Sequence, residues 1–312
     1  MAETSSPALA SPVPDPGRNW LAIAEVGTAW GIRFIVAVYR LLGRRATHAF
    51  LHLLSAYYVV FHAIARRSSL EFWGRVGGTA TWRQVMHHVF TFAVVAVDRL
   101  VFATGRVEKF SFAPHGHEHL ESLRQQGKGA LLIGAHLGSF DCLRFRSREG
   151  QLPLTIVANF GNAARINGVL KRLDPTLTTR VISVDQHALA AVLQIRECIE
   201  RGELVAILAD RTHPGARNLT VDFLGGRAQL PAGPFVLAAT LRCPVLLTFG
   251  LYRGGTHYDL FCEPFADKVA LPRQDREAAL NAVAQRFADR LAHHVRLQPD
   301  NWFNFFRFWE SA

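Results

Sequence analysis

Along these 312 residues the spacing of apolar positions changes twice. Residues 1–18, "MAETSSPALASPVPDPGR", hold Pro, Ser and Ala without an apolar run and predict a disordered tail. They carry no basic stretch followed by an apolar core, so no secretory signal is predicted. Residues 19–104 read as a helical, membrane-associating segment. Its halves, "NWLAIAEVGTAWGIRFIVAVYRLLGRR" and "ATHAFLHLLSAYYVVFHAIARR", are each long enough to enter or cross a bilayer. Glu25 and Arg33 interrupt the first, and His52 and His62 the second. A charge at mid-bilayer costs about 2.5–3.5 kcal/mol on insertion scales, so neither half reads as a clean spanning helix. Trp20, Trp30, Tyr39, Tyr57 and Tyr58, with arginine pairs at 44–45 and 66–67, suit anchoring at headgroup level. Helices packed into a soluble core are the alternative. Residues 80–104 predict a further helix, its apolar stretch "VFTFAVVAVDRLVF" broken by Asp98.

From 105 to 312 short apolar runs alternate with amphipathic stretches. Strands are predicted at "VEKFSF" (107–112), "GALLIG", "LPLTIVA", "RVISV", "ELVAILA", "LTVDFLGG", "PVLLTFGLY" and "HYDLFCEPF". Helices are predicted over "HEHLESLRQQG", 138–147, 163–171, 186–201, 234–242 and 274–297. This order predicts an α/β domain: three layers, with a mixed, largely parallel sheet flanked by helices, preceded by the N-terminal membrane-associated helices.

Composition narrows the partners. Hydrophobic residues make up 49%, at the upper edge for a soluble protein, and mean hydropathy is +0.11. The net charge of +10 is carried by 31 Arg against 4 Lys. Arginine grips phosphate or carboxylate in a bidentate fork, so a polyanionic partner is favoured: anionic lipid, an acidic carrier protein or nucleic acid. The arginines are scattered rather than striped, and no nucleic-acid-binding module is present, which argues against nucleic acid. Cys142, Cys198, Cys243 and Cys262 stand far apart and read as buried free thiols. "HGHEH" (115–119) reads as a solvated helix start rather than a metal site, and no metal is expected.

The chemistry concentrates in "LLIGAHLGSFD" (131–141). The bare His-x₄-Asp spacing is weak, since about one such match is expected by chance among 14 histidines and 25 acidic residues. Its setting is stronger: His136 follows a strand by two residues, where α/β folds collect their catalytic groups. Gly134 and Gly138 permit a tight turn and close approach of a substrate. Ser139 is a candidate N-cap that places Asp141 in a first helical turn. A carboxylate beside an imidazole holds one tautomer and leaves the other nitrogen as a general base. No Ser or Cys stands in a nucleophile-elbow context, so direct attack of an activated hydroxyl on a bound electrophile is expected.

"GALLIGAHLGSFD" resembles the H-x₄-D/E block of the glycerolipid and lysophospholipid acyltransferase superfamily. The membrane-anchoring "WGIRFIVAVYRLLGRRA", "VAILADRTHP", "VDFLGGRAQLPAGPFVLAATLRCPVL" and "NWFNFFRFWE" are similar to blocks of its lipid A biosynthesis branch. The resemblance spans about residues 20–309. It implies an acyl carrier protein thioester, or acyl-CoA, as donor and a membrane glycolipid or phospholipid as acceptor, with no bound cofactor. It also implies a place at the cytoplasmic face of the bacterial inner membrane. His136 would be the base and Asp141 its partner, Asp210 and Arg211 would lie close by, and Arg227 would line the substrate cleft. That branch mostly carries Glu where Asp141 stands, and a Tyr-Arg pair where this chain has Asn159 and Phe160. Arg165 is the nearest candidate for the missing cation, and acceptors other than a lipid A precursor stay open. An inactive membrane scaffold is the alternative from another class.

Overall fold

The computed structural model describes residues 29–103, 107–140, 142, 153–158, 180–183, 188–213 and 215–310. The predicted N-terminal tail and most of the helices predicted at 138–147 and 163–171 lie outside the described residues.

Three helices come first: α1 (Ala29–Phe61), bent at Gly43, α2 (Ala63–Gly77) and α3 (Trp82–Ala103). The α/β part follows as β1 (Ser111–His115), α4 (His117–Gln125), β2 (Ala130–Gly134), β3 (Leu154–Ala158) and β4 (Arg180–Ser183). Then come α5 (Ala188–Glu200), β5 (Leu204–Leu208), β6 (Asn218–Phe223), β7 (Gly226–Pro231) and α6 (Gly233–Leu241). The chain closes with β8 (Val245–Gly254), β9 (His257–Ala266), α7 (Arg276–Leu297) and a 3₁₀ turn at Pro299–Asn301. Seven strands form a mixed, mostly parallel sheet in the order β1-β9-β8-β2-β5-β3-β4, with β8 and β9 antiparallel to each other.

β2 sits near the middle of the sheet, and every residue from Ala130 to Gly134 is buried. Strand geometry sends alternate side chains to opposite faces. Leu131 and Ile133 pack on one side with Ile195 of α5, Phe235 of α6 and Phe287 of α7. Ala130 and Leu132 pack on the other, against Leu120 and Leu123 of α4. The N-terminal helices share these cores: Phe72 and Trp73 join the first, and Val94, Val97 and Phe102 pack with Tyr258 and Leu260 of β9.

Two strand expectations need correction. The first strand begins four residues later than "VEKFSF" predicts, because Phe110 N–H closes a turn onto the Val107 carbonyl. "LTVDFLGGRAQL" is not one strand and a loop but the β6–β7 hairpin, with Phe223 opposite Gly226. Its two-residue turn, Leu224-Gly225, has φ of 48° and 75°, the mirror-image turn that matches strand twist. Leu-Gly lacks the Asn-Gly or Asp-Gly signal that usually marks such a turn.

Candidate active site

The parallel register of β2 and β5 builds the site. Gly134 stands opposite Leu208, and two residues beyond them the chains deliver His136 and Asp210. The Asp210 carboxylate grips His136 twice. Oδ1 lies 2.8 Å from Nδ1, and Oδ2 accepts the His136 backbone N–H at 2.9 Å. The first bond places the imidazole proton on Nδ1 and leaves the Nε2 lone pair as the base. Exposure divides the roles: the imidazole is 29% exposed and the Asp210 side chain 4%. A reacting group can reach the histidine, while its carboxylate is sealed beneath.

Burial lowers the His136 pKa first, then the positive charge of Arg211, with Asp210 opposing both. Burial alone would raise Asp210, but the imidazole and Arg211 outweigh it and hold the carboxyl below its ordinary range. The couple therefore rests as a neutral imidazole on an ionised carboxylate.

A segment far away in sequence clasps the histidine turn. Phe303 N–H donates to the His136 carbonyl at 2.9 Å, and Gly138 N–H to the Asn301 carbonyl at 2.7 Å. Asn301 is fully buried and also exchanges two bonds with the Tyr252 backbone on β8. Arg211 donates to the Phe303 carbonyl at 3.1 Å, joining the clasp to the Asp210 loop. His88 of α3 anchors it from beneath: its Nε2–H donates to the Trp302 carbonyl at 2.8 Å, and Nδ1 accepts from Ser69. Burial holds His88 neutral, lowering its pKa to about 4 against the pull of the Trp302 carbonyl. The ending "WFNFFRFWE" is thus core packing, with Trp302, Phe303, Phe306, Phe308 and Trp309 all buried.

Several expectations are answered differently. Gly138 does permit a close approach, but of the protein's own backbone. Its φ is +65°, and a Cβ there would meet the Gly250 carbonyl oxygen at 2.0 Å. Gly138→Ala is expected to destabilise the fold by about 1–3 kcal/mol from backbone conformation alone, with the clash in addition. Thermal or urea unfolding measures it; a wild-type midpoint would show that the turn relaxes. The amides of Gly138 and Ser139 are bonded to the Asn301 and Gly250 carbonyls, so neither points at a reacting oxygen. The Ser139 hydroxyl makes no capping bond and is buried without a partner among the described residues.

The predicted site residues separate as follows. His136, Asp210 and Arg211 come together. Asp141 and Arg165 lie outside the described residues. Arg227, on β7, is exposed and pairs with Glu310 at 4.0 Å, on the hairpin rather than in the His136–Asp210 couple. Arg99 of α3 was not singled out by the sequence. Its guanidinium lies 4.8 Å over the Phe140 ring, and its charge adds to the lowering of His136. His117 and His119 sit at the exposed start of α4 beside Glu118. All four cysteines are buried, and none forms a disulfide among the described residues.

A family model described as bacterial lipid A biosynthesis acyltransferase matches residues 79–311. No curated protein matches the chain.

Proposed function

The chain belongs to the bacterial lipid A biosynthesis acyltransferase family, whose members are acyltransferases generally associated with membranes. From that membership we propose that it transfers a fatty acyl group from an acyl carrier protein thioester to a hydroxyl of a membrane lipid, at the cytoplasmic face of the bacterial inner membrane. The observation that carries the reading is the accessible His136 imidazole whose Nδ1 is fixed on the buried Asp210.

In this reaction His136 Nε2 takes the proton of the acceptor hydroxyl as its oxygen attacks the thioester carbonyl. The tetrahedral intermediate collapses, the carbon–sulfur bond breaks, and the imidazolium returns its proton to the leaving thiolate. Asp210 keeps the Nδ1 proton throughout and stabilises the imidazolium, the role that the resemblance gives to Asp141. Asp141 stays in the proposal as the second carboxylate of the H-x₄-D block, in the catalytic role that the resemblance gives it, and Arg165 and Arg227 stay as substrate-binding groups. Arg211 and Arg99 supply positive potential for an anionic headgroup or thioester arm. The basic chain suits an acidic carrier protein.

The test is turnover by the purified full chain with acyl carrier protein thioester and extracted inner-membrane lipid. Mass spectrometry of lipids from cells with and without the gene names the acceptor and the acyl length. Absence of any acylated lipid in both would overturn the proposal. The pH dependence adds a second check. Because the His136 pKa lies below the ordinary imidazole value, kcat/KM is expected to be flat through neutrality and to fall only on the acid side of about pH 6.5. Arg211→Ala removes a positive neighbour, makes protonation easier, and is expected to move that limb toward higher pH. A limb that stays in place would separate Arg211 from the base.

A further inference from the structure

From Leu53 to Phe61 the end of α1 is apolar at every position but Ser55, although only one side of it meets the rest of the chain. Leu51, Ser55 and Val59 are buried. On the other side Leu53, Tyr57, Val60, Phe61 and Ile64 form a stripe at helical spacing that runs past the end of α1 into α2. Leu53 is 72% exposed and Phe61 67%, values far from those of a core helix. Trp82, opening α3, is 60% exposed and adds an aromatic ring beside the same corner.

The corner's backbone is arranged to do without water. The chain bends by 95° between Phe61 and Ala63. A helix end leaves carbonyls unpaired, and in hydrocarbon each unpaired group costs several kcal/mol. Here Arg66 reaches back and donates to the Val59 and Val60 carbonyls at 2.9 and 2.8 Å. His62 N–H donates to Tyr58, and Arg66 N–H to His62. The Arg66 guanidinium, 5.6 Å over the Trp82 ring, thereby closes the helix end and keeps its charge at the rim.

Charge selects the surface that this corner meets. Between Ala29 and Leu70 there is no Asp or Glu, against six arginines: Arg33, Arg40, Arg44, Arg45, Arg66 and Arg67. Arg44 is taken by the buried Asp98, and Arg66 and Arg67 border the corner itself; an apolar wedge bordered by cations fits a bilayer with anionic headgroups.

We propose that the α1–α2 corner, Leu53 to Ile64 together with Trp82, is a wedge that inserts into the headgroup–acyl boundary of an anionic bilayer, with Arg66 and Arg67 at phosphate level. The proposal deepens the membrane-enzyme reading by naming the surface that meets the lipid, but it does not depend on the transfer reaction.

The experiment uses the purified full chain and vesicles of phosphatidylethanolamine with phosphatidylglycerol, compared with phosphatidylcholine alone. Binding to the anionic vesicles is expected to exceed that to the neutral ones by about tenfold. The triple variant Leu53→Gln, Val60→Gln, Phe61→Gln changes exposed positions only. It is expected to lose vesicle binding about tenfold or more, to keep its unfolding midpoint, and to keep transfer activity toward acceptor dispersed in detergent micelles. Brominated acyl chains are expected to quench Trp82, read as the difference from Trp82→Phe. Undiminished binding of the triple variant overturns the wedge. So does a wild-type dimer in detergent that the triple variant converts to monomer, because a second copy then covers the stripe. A chain that binds through the corner yet transfers no acyl group refutes the enzymatic proposal and leaves the wedge standing.

Discussion

Asp210→Asn is expected to lower kcat by about 10²–10⁴-fold with little change in KM, and His136→Ala to lower it by a similar factor. The asparagine case follows from the geometry. Asp210 accepts two N–H groups, the His136 amide and Nδ1. An Asn side chain has one acceptor and one donor, so its amide nitrogen must face one of those positions. If the backbone keeps the oxygen, the NH₂ group faces Nδ1 and forces the proton to Nε2, the wrong tautomer for a base. In serine-protease triads the same replacement leaves the geometry intact and reduces kcat about 10⁴-fold. His136→Ala removes the base while keeping the turn, because the clasp uses the backbone N–H and carbonyl of residue 136. Melting midpoints and initial rates of both variants check this. Asp141→Asn, measured alongside, tells the two carboxylates apart. Full activity in Asp210→Asn with loss in Asp141→Asn would return the orienting role to Asp141.

The sequence carries more of this couple than its local spacing suggests. "GALLIG" and "ELVAILA" both read as buried parallel strands; His136 stands two residues past the first and Asp210 directly after the second, and the observed strands, ending at Gly134 and Leu208, put both groups two residues beyond the end. Two neighbouring parallel strands with such groups at equal distance past their ends predict a pair. The local His-x₄-Asp pattern is visible without knowing which strands are adjacent. Adjacency was what could not be read: β5 lies beside β2 although two strands intervene in sequence. The clasp was hidden for the same reason, since Asn301–Phe303 meets His136–Gly138 across more than 160 residues. A buried asparagine inside an aromatic run was the available signal, because an amide there must be bonded. The helices were legible wherever apolar spacing was strong, and the β6–β7 hairpin was missed because Leu-Gly occupies its turn.

Asp98 looks in the sequence like a flaw in an apolar helix; the fold makes it the joint between three elements. Its side chain is 1% exposed. Arg44, one residue past the bend of α1, grips it with both terminal nitrogens, Nη2 at 2.9 Å from Oδ2. Tyr258 of β9 donates its hydroxyl to Oδ2 at 2.7 Å. Burial raises the Asp98 carboxyl above its ordinary range despite the opposing bonds from Arg44 and Tyr258. Arg44→Ala strips away the opposing charge and leaves a buried carboxylate with only the tyrosine. Breaking one side of such a pair costs about 3–5 kcal/mol. The double variant Arg44→Leu, Asp98→Leu is expected to recover most of that loss, since no charge is left to desolvate. The pH dependence has a definite sign. A carboxyl whose native pKa lies above its unfolded value binds its proton preferentially in the folded chain, so lowering the pH adds stability. The deficit of Arg44→Ala should therefore shrink between pH 8 and pH 5. Urea unfolding at both values decides it. A deficit that stays the same at both values would mean that Asp98 remains ionised across this range without its arginine, and the tyrosine bond would then be enough to hold the buried charge.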